Sequence, residues 1–254
     1  MKNFRLIVVL VIMIGLWEVS RRLFTVSPLV MPGIVDIVVS LARSVWSGEI
    51  LRQLGFSFAI IGVSTGIAFV LALGAMLASA TSTVTREAIG ALSSLLHPLP
   101  GIALLPVVIL WFGTGRIAIA VIIVHSVFWP LLTNLLAGYQ SVPTTYRLVS
   151  RNLGLSTFEF TFRIAVPATV PYLVAGLRIA WARSWRALIS AEMVFGAVAG
   201  RGGIGWYLHT QRVFMDTTGL FAGILVVMVI GSLVERGALG YLERVTVHRW
   251  GTSQ

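Results

Sequence analysis

Apolar residues in this chain come in long unbroken runs rather than in alternation. Residues 56–79, 88–115, 117–146 and 217–234 contain no Asp, Glu, Lys or Arg, and residues 6–17 and 164–200 form two further apolar stretches, the second interrupted by charge. Crossing a bilayer's hydrocarbon takes roughly 20 apolar residues in a helix. The pattern therefore predicts an all-α polytopic membrane protein with about six transmembrane helices. A different pattern separates the first two spans. Ile34, Ile37, Val38, Leu41 and Val45 recur at helical spacing, with Asp36, Ser40, Arg43 and Ser44 on other faces, which predicts a helix lying in the membrane interface. The chain divides on this reading into residues 1–54, a first span plus an interfacial helix; residues 55–245, a transmembrane core; and residues 246–254, a tail.

The run 88–115 is too long for one straight span and carries Pro98, Pro100 and Pro106. Proline removes a backbone donor and clashes with the preceding turn, so a broken helix is expected. Backbone freed inside a membrane must face protein or water, and the segment is expected to line a cavity, with Pro100 a candidate pathway residue. Pro130, beside Trp129, is expected to act similarly in the next span.

Between two apolar runs lies a polar, basic loop, residues 144–166, studded by Arg147, Arg151 and Arg163. Residues 144–153 can form a short helix, Gly154 can turn the backbone at positive φ, and Ser156 or Thr157 can cap a second helix. Pro167 then suits the first turn of the following helix. The product is a rigid helix-turn-helix knob joined to a transmembrane helix, a shape able to transmit force.

Composition narrows the chemistry. Of 254 residues 57% are hydrophobic and 11% charged, with a mean hydropathy of +0.93. The net charge of +10 is spread over loops, which reads as membrane topology and anionic lipid rather than nucleic acid. Lys2 and Arg5 precede an apolar run, but no small-x-small cleavage site follows, so the first run is read as an uncleaved span. The sequence has no cysteine, removing disulfides and thiolate chemistry, and four scattered histidines give no metal-site spacing. The only lysine is Lys2; a Walker-type phosphate loop needs a lysine after its glycines, so any ATPase must be a separate subunit. Arg201 and the glycines after it read as a tight external turn rather than a nucleotide loop.

Within the fifth span stand Arg178, Arg183, Arg186 and Glu192. A charge near the bilayer centre costs about 2.5–3.5 kcal/mol, so these should face protein or water. Trp181, Trp185, Leu188 and Glu192 share one helical face, with Arg183 nearly opposite. Arg178 precedes Glu192 by about 21 Å of helix at 1.5 Å per residue and needs a partner on another helix or chain. His125, Asn134, Arg178, Trp181, Arg183, Trp185 and Glu192 join Pro100 as candidate pathway residues, and His97 is a further intramembrane polar group.

Two sets of residues carry a family resemblance. Gly154 is followed after nine residues by Ile164, then after one residue by Val166-Pro167. This spacing resembles the Glu-Ala-Ala loop of ABC-importer permeases, with Leu148, Val149 and Ser150 standing where Glu-Ala-Ala would be. The stretch Leu99-Pro100-Gly101-Ile102-Ala103-Leu104-Leu105-Pro106, running on to Gly115, is similar to the nitrate/sulfonate/taurine branch. So are Val30-Met31-Pro32, Ala175-Gly176-Leu177-Arg178, Ala191-Glu192 and Gly203-Ile204-Gly205. The resemblance implies a type I ABC importer permease fold and a multi-pass inner-membrane protein with both termini cytoplasmic. It implies no cofactor on this chain, ATP and Mg being held by partner ATPase subunits. It further implies an external solute-binding protein, a second permease copy in a homodimer, and a small anion as solute: sulfonate or taurine, then a nitrate-like ion or a carboxylate. Arg147, Leu148, Arg151, Gly154, Leu155, Ser156, Ile164 and Pro167 would form the coupling loop to the ATPase. With six spans and that loop inside, Lys2, Arg5, Arg86, Arg236, Arg244 and Arg249 are cytoplasmic, while Arg21, Arg22, Arg43, Arg52, Arg116, Arg201 and Arg212 are external. An ion- or proton-coupled carrier, with Glu192 and His125 as a relay, is the alternative; such folds show internal repeats, and the two halves here show no self-similarity.

Overall fold

The structure is a computed structural model and describes residues 2–24, 27–196 and 202–246. The expected tail beyond residue 246, with Arg249, and Arg201 in the expected external turn lie outside the described residues. In chain order the helices are α1 (Lys2–Leu23), α2 (Ile34–Trp46), α3 (Glu49–Ser79), α4 (Thr83–Leu96), α5 (Leu105–Phe112), α6 (Arg116–Gln140), α7 (Thr144–Asn152), α8 (Thr157–Phe160), α9 (Val166–Ala168), α10 (Val170–Phe195), α11 (Ile204–Val213), α12 (Thr217–Leu233) and α13 (Gly240–Thr246). A 3₁₀ turn, Gly101–Leu104, leads into α5; π-helical turns Thr161–Ala165 and Val234–Leu239 join α8 to α9 and α12 to α13.

Three continuous helical stretches are long and apolar enough to cross a membrane: Glu49–Ser79, Arg116–Gln140 and Thr217–Thr246. Two bent pairs bring the number to as many as five. The remaining expected span, residues 6–17, falls within α1, a continuous helix of 22 residues. The first bent pair is the proline-rich run, where Thr83–Leu96 and Gly101–Phe112 meet at 86°. Pro98 and Pro100 fall inside the break. Pro106, expected to interrupt the helix as well, instead sits in the first turn of α5, where the missing N–H would have no intrahelical partner. The second bend, 60°, separates Phe158–Ala168 from α10. Apolar side chains such as Val63, Val70 and Leu71 stay exposed along α3, the surface that lipid rather than water would cover.

The chain forms two compact units, Met1–Ser57 with Glu192–Val229, and Phe58–Ala191 with Ile230–Gln254. In the first, the Trp17 indole N–H donates to the Pro32 carbonyl at 3.0 Å and its ring meets Phe221 edge-on at 5.1 Å. α2 is amphipathic, as its sequence requires, and buries Ile37. The Tyr207 hydroxyl reaches Ser44 Oγ at 3.1 Å. Glu192, 1% exposed, accepts from the backbone N–H of Gly203 at 2.7 Å and of Gly205 at 2.9 Å. It thus caps the start of α11, where unpaired amides and the helix dipole favour a negative charge. Ser57 Oγ accepts from Ile204 N–H in the same place, at 2.9 Å.

In the second unit α6 is the core helix, burying Ala118, Ile119, Ile122, Ile123, Val127, Leu131, Leu132 and Leu135. Pro130 lies inside it without ending it. Thr133 Oγ1 donates to the carbonyls of Trp129 and Pro130, and Asn134 Nδ2 donates to Pro130 O at 2.8 Å, so side chains one turn on bring extra donors to the carbonyls beside the proline. Phe58, Trp181 and Trp185 stack, the two indoles 5.3 Å apart.

Candidate functional site

The knob between α6 and α10 follows from its sequence almost atom by atom. α7 ends in a Schellman motif: Gly154 N–H donates to Arg151 O at 3.0 Å and Leu155 N–H donates to Ser150 O at 2.9 Å, with Gly154 at φ 72°. α8 then opens on a reciprocal capping box. Glu159 N–H donates to Ser156 Oγ at 3.2 Å, and Ser156 N–H and Oγ–H donate to Glu159 Oε2, each at 3.0 Å. Ser156, one of the two expected caps, has this geometry; the Thr157 side chain lies outside the described part of the structure. The Ser156 backbone N–H, and after it the Ser156 hydroxyl, hold the Glu159 carboxyl below its ordinary pKa, with the Arg163 charge adding to the effect. Pro167 sits in the first turn of α9, and Ile164 in the π-helical turn before it. Arg147 lies on α7, its side chain outside the described part of the structure; Arg151 is exposed.

The knob's surface is less polar than its arginines suggest. Leu148, Leu153 and Phe158 are 60%, 72% and 69% exposed, and Phe158 packs on Phe162 with ring centroids 4.4 Å apart. Exposed leucine and phenylalanine on a short, doubly capped hairpin form a surface suited to contact with another protein. Leu148 occupies the expected acidic position and is part of that apolar surface.

The second site is a cavity of about 450 Å³ bounded by the proline break, α6 and α10. Arg183 and Arg186 enter from α10, His125 and Trp129 from α6, and His97 and Pro100 from the break. Arg183 Nη2 lies 3.2 Å from His97 Nε2. A guanidinium has no acceptor, so Arg183 donates and His97 Nε2 holds the lone pair. Arg186 donates through Nε to the Ala182 carbonyl of its own helix at 2.9 Å. Among the described residues no acid lines the cavity, and neither arginine has a carboxylate within 4.0 Å. Both ring nitrogens of His125 and the indole nitrogen of Trp129 are buried without a hydrogen-bond partner among the described residues.

The candidate pathway residues therefore fall in different places. Pro100, His125 and Arg183 line this one cavity. Asn134 uses its amide on the Pro130 carbonyl. Arg178 reaches Glu243 at 3.0 Å and Glu235 at 3.9 Å, giving it the partner on another helix that its position requires. Trp181 donates to Gly231 O at 3.4 Å and stacks with Trp185, while Glu192 caps α11. Sequence reasoning left His97, Ser126 and Ser190 out of the pathway set; the proximity of His97 to three prolines was the available signal.

The family described as binding-protein-dependent transport system inner membrane components matches residues 70–246, more than half of the chain. The chain belongs to that family. Among curated proteins, the putative aliphatic sulfonates transport permease protein SsuC of Bacillus subtilis is 27% identical over 88% of this chain and 80% of its own length. The taurine transport system permease protein TauC of Escherichia coli is 25% identical over 93% and 86%. The nitrate import permease protein NrtB of Synechocystis is 31% identical over 74% and 66%. In fold, the chain is similar to a chain of the MetNI methionine ABC transporter in an inward-facing conformation. That likeness has a TM-score of 0.62 and 18% identity, and covers 77% of this chain and 95% of that one. The chain is thus an inner membrane component of a transport system, of all-α ABC-permease fold.

Proposed function

We propose that this chain is the permease subunit of an ATP-driven importer for a small anion, with sulfonate or taurine first and a nitrate-like ion or a carboxylate next. Two copies enclose one pathway. ATPase subunits, which hold ATP and Mg, dock on the knob 144–166 from the cytoplasm, and an external binding protein delivers the solute. ATP binding draws the knobs together and turns the cavity outward; hydrolysis resets it inward. Both termini are cytoplasmic.

The observation that carries this reading is the knob. A Schellman turn and a capping box fix two short helices against each other, and leucine and phenylalanine stay exposed on their surface. Such a segment resists bending and adheres to a partner, the two properties that transmission of a power stroke requires. The anion assignment is supported by the solutes named for the relatives and by two cavity arginines without an acid within ion-pairing distance. The test is reconstitution with an ATPase subunit and a binding protein in proteoliposomes. ATP-dependent uptake of taurine, methanesulfonate or nitrate is expected. Uptake driven by a proton or ion gradient with no ATPase present would overturn the proposal.

A further inference from the structure

We propose that Arg183, braced by His97 and flanked by Arg186, His125 and Trp129, is the site where the permease itself recognises its solute, and that it selects an oxoanion head: two or three oxygens sharing a negative charge. The inference rests on the reading of the chain as an anion importer's permease and assigns the residues that read the anion.

Charge comes first. Two guanidinium groups face a cavity lined by no acid among the described residues, in a helix whose location in the membrane makes an uncompensated cation costly. Arg178, on the same helix, is met by Glu235 and Glu243, so one arginine of this helix is neutralised by acids. Arg183 is treated differently. Its neighbour is an imidazole accepting through Nε2, which positions one N–H of the fork without cancelling the charge and leaves the remaining N–H groups for a ligand. A planar fork of donors matches paired oxygens on sulfonate, nitrate or carboxylate.

Unspent hydrogen bonding comes second. Among the described residues His125 has no partner at either nitrogen and Trp129 has none at its indole N–H, and buried polar groups of this kind ordinarily find one. Both residues line the cavity. Their nitrogens are covered, so engaging a ligand requires the rings to turn; the ring torsion of histidine is broad and soft enough to allow it. An anion's third oxygen would satisfy a donor that is otherwise wasted. Size comes third. About 450 Å³ is at the lower end of small-molecule pockets and suits a small solute.

The experiment uses the complete transporter in proteoliposomes, with ATPase and binding protein, and reads solute moved per ATP hydrolysed. Binding-protein stimulation of hydrolysis serves as the control for folding and coupling. Arg183→Gln is expected to lower methanesulfonate or taurine moved per ATP ~10- to 100-fold, the size expected for a hydrogen bond to a charged group, while stimulation persists. Arg183→Lys restores part of it by keeping the charge without the fork, and Trp129→Phe, which keeps an aromatic ring but deletes the N–H together with the five-membered ring, gives a smaller loss. Normal transport per ATP in Arg183→Gln overturns the site and leaves the importer reading standing. Wild-type uptake confined to neutral or cationic solutes overturns the site and the anion assignment together, and leaves only the ATP-driven importer standing. If Arg183→Gln does not assemble, the double variant Arg186→Gln with His125→Gln decides: normal transport per ATP in it overturns the proposal.

Discussion

Gly154 sits at φ 72° with nothing within 4 Å of where a Cβ would be, so a larger residue there meets backbone strain and no clash. The left-handed conformation costs a residue with a Cβ roughly 1–2 kcal/mol, and asparagine less than most. Gly154→Val is therefore expected to loosen the knob and reduce transport per ATP while membrane insertion stays normal, and Gly154→Asn to retain most of the coupling. Equal coupling in the valine and wild-type proteins would mean that the knob's stiffness is irrelevant. Gly101 is glycine for a different reason. A Cβ there would run into Ser126 Oγ and press on the Ile122 carbonyl at 3.0 Å, so the proline break can lie against α6 only without a side chain. These two residues were unequally legible. The turn at Gly154 follows from local spacing, whereas the crowding at Gly101 depends on a helix more than twenty residues further along.

At the scale of elements, Arg178 ties α10 to the C-terminal end of the chain through Glu235 in the π-helical turn and Glu243 in α13. All three side chains are between 43% and 46% exposed, so the pairs are screened and each contributes up to about 1 kcal/mol. Arg178→Gln is expected to raise hydrogen exchange across residues 234–246 and to leave solute preference unchanged; the charge swap Arg178→Glu with Glu243→Arg should recover protection. Exchange unaffected by either would show that α13 is held by other contacts. Element boundaries were largely visible beforehand, because apolar runs, prolines and caps are local signals: the bend near Pro98 and Pro100, the amphipathic α2 and the cap at Ser156 all come from neighbouring residues. Partnerships were not. Arg178 meets Glu243 across 65 residues and Arg183 meets His97 across 86, and no periodicity encodes such a meeting. Pro106 went the other way, read as a break where it starts a helix, since a proline's effect depends on whether a turn has already begun.

For the whole molecule, orientation is the property least determined by composition, because the basic residues divide almost evenly between the two sides that the expected spans define. The positive-inside rule works through a bias in short loops, and nine cytoplasmic against seven external positions of Lys and Arg make a weak bias. What orients the chain on the present reading is the knob, which must face the compartment that holds ATP. Residue 151 then lies inside, while residues 116 and 212, in the first turn of α6 and the last turn of α11, are expected outside. The absence of cysteine makes this directly measurable, since each position can carry the chain's sole thiol. An impermeant maleimide applied to intact cells is expected to label Arg116→Cys and Arg212→Cys, and to label Arg151→Cys only after the membrane is opened. Labelling of position 151 from outside would invert the topology, and the knob, the ATPase dock and the direction of transport would have to be reassigned together.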